Sequence, residues 1–118
     1  MRVESDLGAR TKDFALRVVK FYVALPKSVE LQILGKQLLR SGTSVGAHYR
    51  EACRGRSDAE FISKLEGGLQ ELEETIYWLE LLAELHPPTQ LVAHDLQREA
   101  CELNSILTSC VRNVKNRR

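Results

Sequence analysis

A chain of 118 residues, 43% hydrophobic and 28% charged, can bury one core but not two, and this balance excludes disorder as the main state. No apolar run approaches the roughly 18 residues of a membrane-spanning helix, and the opening MRVESDLGAR has no apolar signal-peptide core, so a cytoplasmic location is expected. The net charge of +1 hides segregation: residues 1–56 carry eleven Lys/Arg against five Asp/Glu, residues 57–88 one against eight, and residues 89–118 five against three.

Prolines stand only at Pro26, Pro87 and Pro88, and the segments between them repeat apolar residues with a helical period. Phe14, Val18, Phe21, Tyr22 and Leu25 share one face of a first helix, predicted over about 6–25 and ended by Pro26. A second helix, about 28–55, is predicted to be capped by Ser28, with Leu31, Leu34, Leu38, Val45, Tyr49 and Ala52 inward and Ser41 and Gly42 interrupting the stripe. Ser57 with Glu60 forms a capping-box pattern that opens a third helix, about 58–86, and Gly55 suits the C′ position of the second. The third helix shows Phe61, Leu65, Leu69, Leu72, Ile76, Leu79 and Ala83 on one face. Thr89 can cap a fourth, about 90–115, with the stripe Val92, Leu96, Ala100, Leu103, Leu107, Cys110 and Val114. Four helices with short connections predict a single all-α domain, an antiparallel up-down-up-down four-helix bundle. Cys53, Cys101 and Cys110, odd in number and without C-x-x-C spacing, fit reduced thiols better than a disulfide framework.

The stretch Leu38–Ser57 carries the informative chemistry. Gly42 and Gly46 are four apart on one helical face, where glycine costs about 1 kcal/mol relative to alanine, so close helix packing is the expected return. An anion-holding loop is the alternative. Gly42-Thr43-Ser44-Val45-Gly46 also matches the G-x-S-x-G of hydrolase nucleophile elbows, but no strand precedes it and the chain is too short for that fold. His48, His86 and His94 lack the Glu-x-x-His spacing of di-iron bundles, so neither a metal nor a cofactor is expected and His48 reads as structural. Arg40, Ser44, His48 and Glu51 step along one side of the second helix as a polar seam, with Glu71 and Glu74 of the third helix as natural partners.

The run Arg40-Ser41-Gly42-Thr43-Ser44-Val45-Gly46-Ala47-His48-Tyr49-Arg50-Glu51-Ala52, followed by Phe61, Lys64, Glu71, Glu74, Trp78 and Leu79, resembles the four-helix-bundle proteins encoded in intervening sequences of bacterial large-subunit rRNA genes. That resemblance implies a left-handed bundle assembling into a ring-like homopentamer, with no catalytic site. It also implies kinship with the accessory protein of diversity-generating retroelements, a basic pentamer that binds nucleic acid and a reverse transcriptase. His48 stands where the family commonly has Asn, so the seam's hydrogen bonding is not carried over.

Two further surfaces follow from the residues themselves. Tyr77, Trp78, Leu81, Leu82 and Leu85 make the second half of the third helix apolar almost all round, which predicts a homo-oligomer interface. Lys36, Arg40, Arg50 and Arg54 form a cationic line on the second helix, opposed by the line Glu66, Glu73, Glu80 and Glu84 on the third. Antiparallel topology gathers Arg10, Lys12, Arg50, Arg54, Arg56, Lys64, Arg112, Lys115, Arg117 and Arg118 at one pole, a candidate RNA or DNA backbone site. The other pole, with Lys27, Glu30, Glu80, Glu84 and Asp95, leans acidic. The reading is a non-enzymatic oligomeric bundle that binds nucleic acid, as an accessory to a nucleic-acid enzyme; a protein–protein scaffold is the alternative.

Overall fold

In the computed structural model, which describes residues 2–117, the chain forms α1 (Arg2–Val23), α2 (Val29–Cys53), α3 (Asp58–Leu85) and α4 (Gln90–Asn116), with a 3-10 turn at Pro87–Thr89. No strand occurs among the described residues. The helices alternate in direction, as an up-down-up-down bundle 49 Å long and 21 by 19 Å across. Each helix packs on the next, α2 against α3 most extensively, while α1 and α4 meet sparsely and α1 and α3 lie on a diagonal.

Local chemistry sets the helix ends, not always as the sequence predicts. Nothing between Arg2 and Asp6 breaks a helix, so α1 starts before the expected residue 6. Pro26 disfavours helical backbone at Leu25, and α1 closes with the Leu25 N–H on the Tyr22 carbonyl at 3.1 Å. Ser57 caps α3 by accepting from the Glu60 N–H at 3.1 Å, but the Glu60 carboxylate reaches back to the Arg56 N–H at 2.6 Å, one residue beyond the reciprocal partner of a capping box. Ser28 has the extended backbone of an N-cap, yet its hydroxyl makes no cap bond. Thr89 does not cap α4 through its side chain either, because its hydroxyl donates to the His86 carbonyl at 2.7 Å within the Pro87–Pro88 turn. Gly55 does not adopt a left-handed conformation. Its smallness matters instead, since a Cβ there would lie 3.1 Å from the Ala52 carbonyl oxygen.

The core runs the length of the bundle. Leu7, Phe14, Val18, Phe21 and Leu25 enter from α1 and Leu31, Leu38, Val45, Tyr49 and Ala52 from α2. The predicted stripes of α3 and α4 hold at Leu65, Leu72, Leu79 and Ala83 and at Leu96, Ala100, Leu103, Leu107 and Val114, and shift only at their edges. Ile62, Leu65, Leu72, Thr75, Leu79 and Leu82 are buried on α3, with Phe61, Leu69 and Ile76 on its flank. On α4, Ala93 and Val111 are buried in place of Val92 and Cys110.

Glycine faces let α2 sit this deep between its neighbours. A Cβ on Gly42 would come within 2.8 Å of both γ-methyls of Val18, and one on Gly46 within 3.2 Å of the Thr11 hydroxyl, so α1 lies almost against the α2 backbone. On α3, a Cβ on Gly67 would meet the His48 ring at 2.8 Å. One polar pair crosses the buried α2/α3 seam: the Ser41 and Thr75 hydroxyls lie 2.8 Å apart, one donating to the other while the second donates to a carbonyl of its own helix, Glu71 at 2.7 Å for Thr75 or Leu38 at 3.3 Å for Ser41. Every hydroxyl of that pair is thereby satisfied, which its full burial requires.

These distances set opposite signs for two alanine substitutions. Gly8 has only Tyr49 within 4.0 Å of a built Cβ, so Gly8→Ala is expected to stabilise by about 0.5–1 kcal/mol through helix propensity. Gly42→Ala meets a stiff β-branched side chain and is expected to destabilise by about 1–2 kcal/mol despite the same gain. Urea unfolding of the two variants checks this, and a stabilised Gly42→Ala would refute the close α1/α2 approach.

Candidate nucleic-acid interface

The α2–α3 connection and the end of α4 come together at one pole, where Cys53, Gly55, Arg56, Ser57, Phe61 and Arg117 line an open cavity of about 330 Å³. The candidate cations divide there into two groups. Lys64 pairs with Glu51 at 3.3 Å, Lys115 with Glu66 at 3.5 Å and Arg117 with Asp58 at 3.7 Å. Arg50, Arg54, Arg56 and Arg112 are exposed and make no ion pair among the described residues. Arg118 lies outside the described residues.

Arg10 does not contribute a free charge to the pole. Its guanidinium spans Glu99, with bonds of 2.6 and 2.8 Å, and Glu102 at 2.6 Å, clamping α1 to α4 where those helices pack least. The hydrogen bonds from Arg10 hold the Glu99 carboxyl below the usual glutamate range, against the upward push of burial. The two carboxylates in turn keep Arg10 firmly protonated.

The polar seam lies midway along α2 and α3. Glu71, with 15% of its side chain exposed, stands between the Arg40 guanidinium at 3.9 Å and His48 Nε2 at 3.7 Å; Arg40 also reaches Glu74 at 3.3 Å. The His48 ring is wedged over Gly67, with Nδ1 buried and no hydrogen-bond partner among the described residues. Ser44 sits inside a continuous helix and donates to the Arg40 carbonyl at 2.6 Å, so the G-x-S-x-G match has no elbow around it. Glu51 belongs to the pole rather than the seam, through its pairing with Lys64. No group of three His, Cys, Asp or Glu side chains converges among the described residues.

The predicted oligomer face splits. Leu82 is fully buried in the core beside Leu79 and Ala83, while Trp78 and Leu81 are partly buried. Tyr77, 52% exposed, and Leu85, 56% exposed, remain on the surface. The expected α2–α3 charge lines are also not paired throughout: Glu66 turns to Lys115 of α4, and Glu73, Glu80 and Glu84 are exposed without an ion pair among the described residues. Sequence reasoning missed a groove between the end of α1 and the start of α4, about 500 Å³, floored by Phe21, Val92 and Leu96 and edged by Arg17 and Lys20. Val92, placed in the core from its spacing, is the residue that hid it.

These features define the class, a small antiparallel four-helix bundle with one cationic pole. Residues 4–109 match the family model described as 23S rRNA-intervening sequence protein, and the chain belongs to that family. It is similar to a crystal structure from Bacteroides thetaiotaomicron VPI-5482, described as a protein of unknown function from the S23 ribosomal protein family. The two share 37% sequence identity and a TM-score of 0.85, over 92% of this chain and 97% of that one. No curated protein matches the chain. No helix is long and apolar enough to cross a membrane among the described residues.

The Arg10 clamp predicts acid sensitivity with a definite sign. Glu99 has its folded pKa lowered, so its contribution is complete above the ordinary glutamate range of about 4–4.5 and is lost as pH falls through the folded value. Glu99→Gln is expected to cost about 1 kcal/mol at pH 7 and to flatten the acid limb of stability against pH. Urea midpoints between pH 7 and pH 3 check this; an acid limb as steep as in the unmodified chain would refute the clamp.

Proposed function

We propose that this chain is a non-enzymatic, self-associating bundle that holds the phosphate backbone of RNA or DNA at its basic pole, as an accessory to a nucleic-acid enzyme such as a reverse transcriptase. One observation carries the reading: among the described residues Arg50, Arg54, Arg56 and Arg112 are exposed and unspent on ion pairs, at the pole where Lys64, Lys115 and Arg117 have acidic partners. Guanidinium groups are suited to bidentate contact with phosphate. The chain's seven aromatic side chains supply no stacking platform at that pole beyond the partly buried Phe61, so backbone contact rather than base reading is the mode. Self-association multiplies the four arginines along one rim, and repeated cations raise both affinity and salt dependence.

A protein–protein scaffold is the second reading, favoured by the exposed apolar residues Val23, Val29, Leu85, Leu91 and Val92 at the opposite pole. Gel shifts with structured RNA and with duplex DNA across a salt series separate the two. Under the nucleic-acid reading, Arg54→Glu with Arg56→Glu abolishes the shift at physiological salt, and Arg54→Ala with Arg56→Ala lowers the slope of log K against log salt by about 2. No shift by the unmodified chain even at 50 mM salt, or a shift indifferent to these arginines, would overturn it.

A further inference from the structure

The outer valley between α1 and α2 is an open cleft of about 370 Å³, walled by Lys12 of α1 and Arg50 of α2 and floored by Ala15, Thr43, Gly46 and Ala47. The floor lies low because the helices touch through glycine: a Cβ on Gly46 would stand 3.2 Å from the Thr11 hydroxyl. Lys12 and Arg50 are exposed and make no ion pair among the described residues, and no carboxylate lines the cleft. The neighbouring acids turn elsewhere. Asp6 and Asp13 share one line of α1 with Arg10 and Arg17, at steps of 4, 3 and 4, on the side where Arg10 meets α4. Glu51, next to Arg50, pairs with Lys64 of α3 at 3.3 Å. From Arg50 the α2 face continues one turn to Arg54 at the basic pole, and in the other direction by steps of 7 through Thr43 to Lys36, exposed and also without an ion pair among the described residues.

We infer that a single strand of nucleic acid held at the basic pole runs off it along this cleft, its phosphates passing Arg54, then Lys12 and Arg50, then Lys36, with its bases turned to solvent. The inference rests on the nucleic-acid reading of the proposed function and adds the path by which the polyanion leaves the pole. Charge selects the class of ligand. Arg54 and Lys36 are about 27 Å apart at 1.5 Å per residue, and cations spread over such a line suit a ligand whose charge repeats along its length rather than one small anion. The floor selects which part of the strand faces the protein. The Thr11 and Thr43 hydroxyls already donate to the Leu7 and Leu39 carbonyls of their own helices, each at 2.8 Å, so the floor offers methyl groups instead of donors. Sugars pack on such a surface while phosphates reach the walls. No aromatic side chain lines the cleft, so bases find no stacking partner there. Width selects one strand over two. The axes of closely packed helices lie about 8–10 Å apart, and the valley between them follows one backbone along its length, whereas a duplex, whose strands wind about an axis, would only cross it.

Fluorescence anisotropy of the full chain with labelled uridine and thymidine homopolymers, over a salt series, tests the path. Lys12→Gln and Lys36→Gln are each expected to lower the slope of log K against log salt by about 0.7, the value for one phosphate of a single strand. Ala47→Glu is expected to weaken binding about tenfold or more. Ala47→Lys is expected to strengthen it and to steepen the slope by about 0.7, a gain that a folding defect cannot imitate. Leu91→Lys puts the same charge at the opposite pole, where Leu91 is 81% exposed, and is expected to change neither affinity nor slope. Strand binding that depends on Arg54 and Arg56 but is indifferent to Lys12, Lys36 and Ala47 overturns the path and leaves the basic pole standing. Tighter binding of a duplex than of the homopolymers, or displacement of the strand by uridine monophosphate at equal phosphate concentration, overturns the single strand. No binding of any nucleic acid at low salt overturns path and pole together.

Discussion

The close approach of α1 to the backbone of α2, and of the α2 side chain His48 to the backbone of α3, is the constraint on which the rest of the molecule depends. Two γ-methyls of Val18 occupy the volume a side chain at Gly42 would take, and the His48 ring occupies that volume at Gly67. Glycine inside a helix costs about 1 kcal/mol relative to alanine, so a chain that spends several such positions on the α1/α2 and α2/α3 contacts must recover the loss in packing. Dispersion between closely apposed surfaces provides the return, because many weak contacts are made at once along an extended helix. The α2/α3 contact, the most extensive of the bundle, then fixes where every other feature falls. It sets the seam Arg40–Glu71–His48 midway and leaves the helix ends to carry the surface chemistry.

Charge is distributed according to what each pair of helices lacks. The α2/α3 and α1/α2 interfaces interlock through small residues; the α2/α3 ion pairs lie along its edge, and α1/α2 has none among the described residues. The α1/α4 interface is sparse, and there the chain places its shortest charged contacts, Arg10 with Glu99 and Glu102. Partly buried, geometrically complementary Arg–carboxylate contacts of this kind are stronger than isolated surface pairs. Farther toward the opposite pole α1 and α4 part enough to open the groove over Phe21 and Leu96. One interface is thus pinned at one level and open at another, which is why the groove is a surface and not a cavity in the core.

Much of the architecture was legible in the sequence because its signals are local. Pro26 and the Pro87–Pro88 pair end helices by sterics alone, and Ser57 with Glu60 opens α3 through bonds between neighbours. What was not legible depends on rotation about a helix axis. In α3, apolar residues occur almost all round the second half, so spacing alone cannot say whether Leu82 or Leu81 points inward. The structure turns Leu82 into the core and leaves Tyr77 and Leu85 outside. In α4 the same ambiguity at the edge of the stripe exposes Val92 and buries Ala93. Caps at Ser28 and Thr89 failed for a related reason: residue type permits a cap, but the turn before it decides where the hydroxyl points. Poles were legible where topology alone assigns them, as for Arg54 and Arg56. The state of each charge was not, since Lys115 and Arg117 find Glu66 and Asp58 only through three-dimensional packing.

That difference between position and availability bears on what the pole can do. A cation already paired with a carboxylate must give up that partner to bind phosphate, and the net gain is the difference of two similar surface interactions. An unpaired arginine gives up only water and counterions, and counterion release from the polyanion makes the exchange favourable at moderate salt. The two kinds of cation therefore act differently, although the sequence lists them together. Arg50, Arg54, Arg56 and Arg112 would supply affinity. Lys64, Lys115 and Arg117 instead link the ends of α2, α3 and α4 through Glu51, Glu66 and Asp58. A rigid array of charges binds a rigid polyanion at a lower entropic cost than the same charges on a frayed end, so under the proposed function the paired cations would contribute through geometry what they withhold in charge.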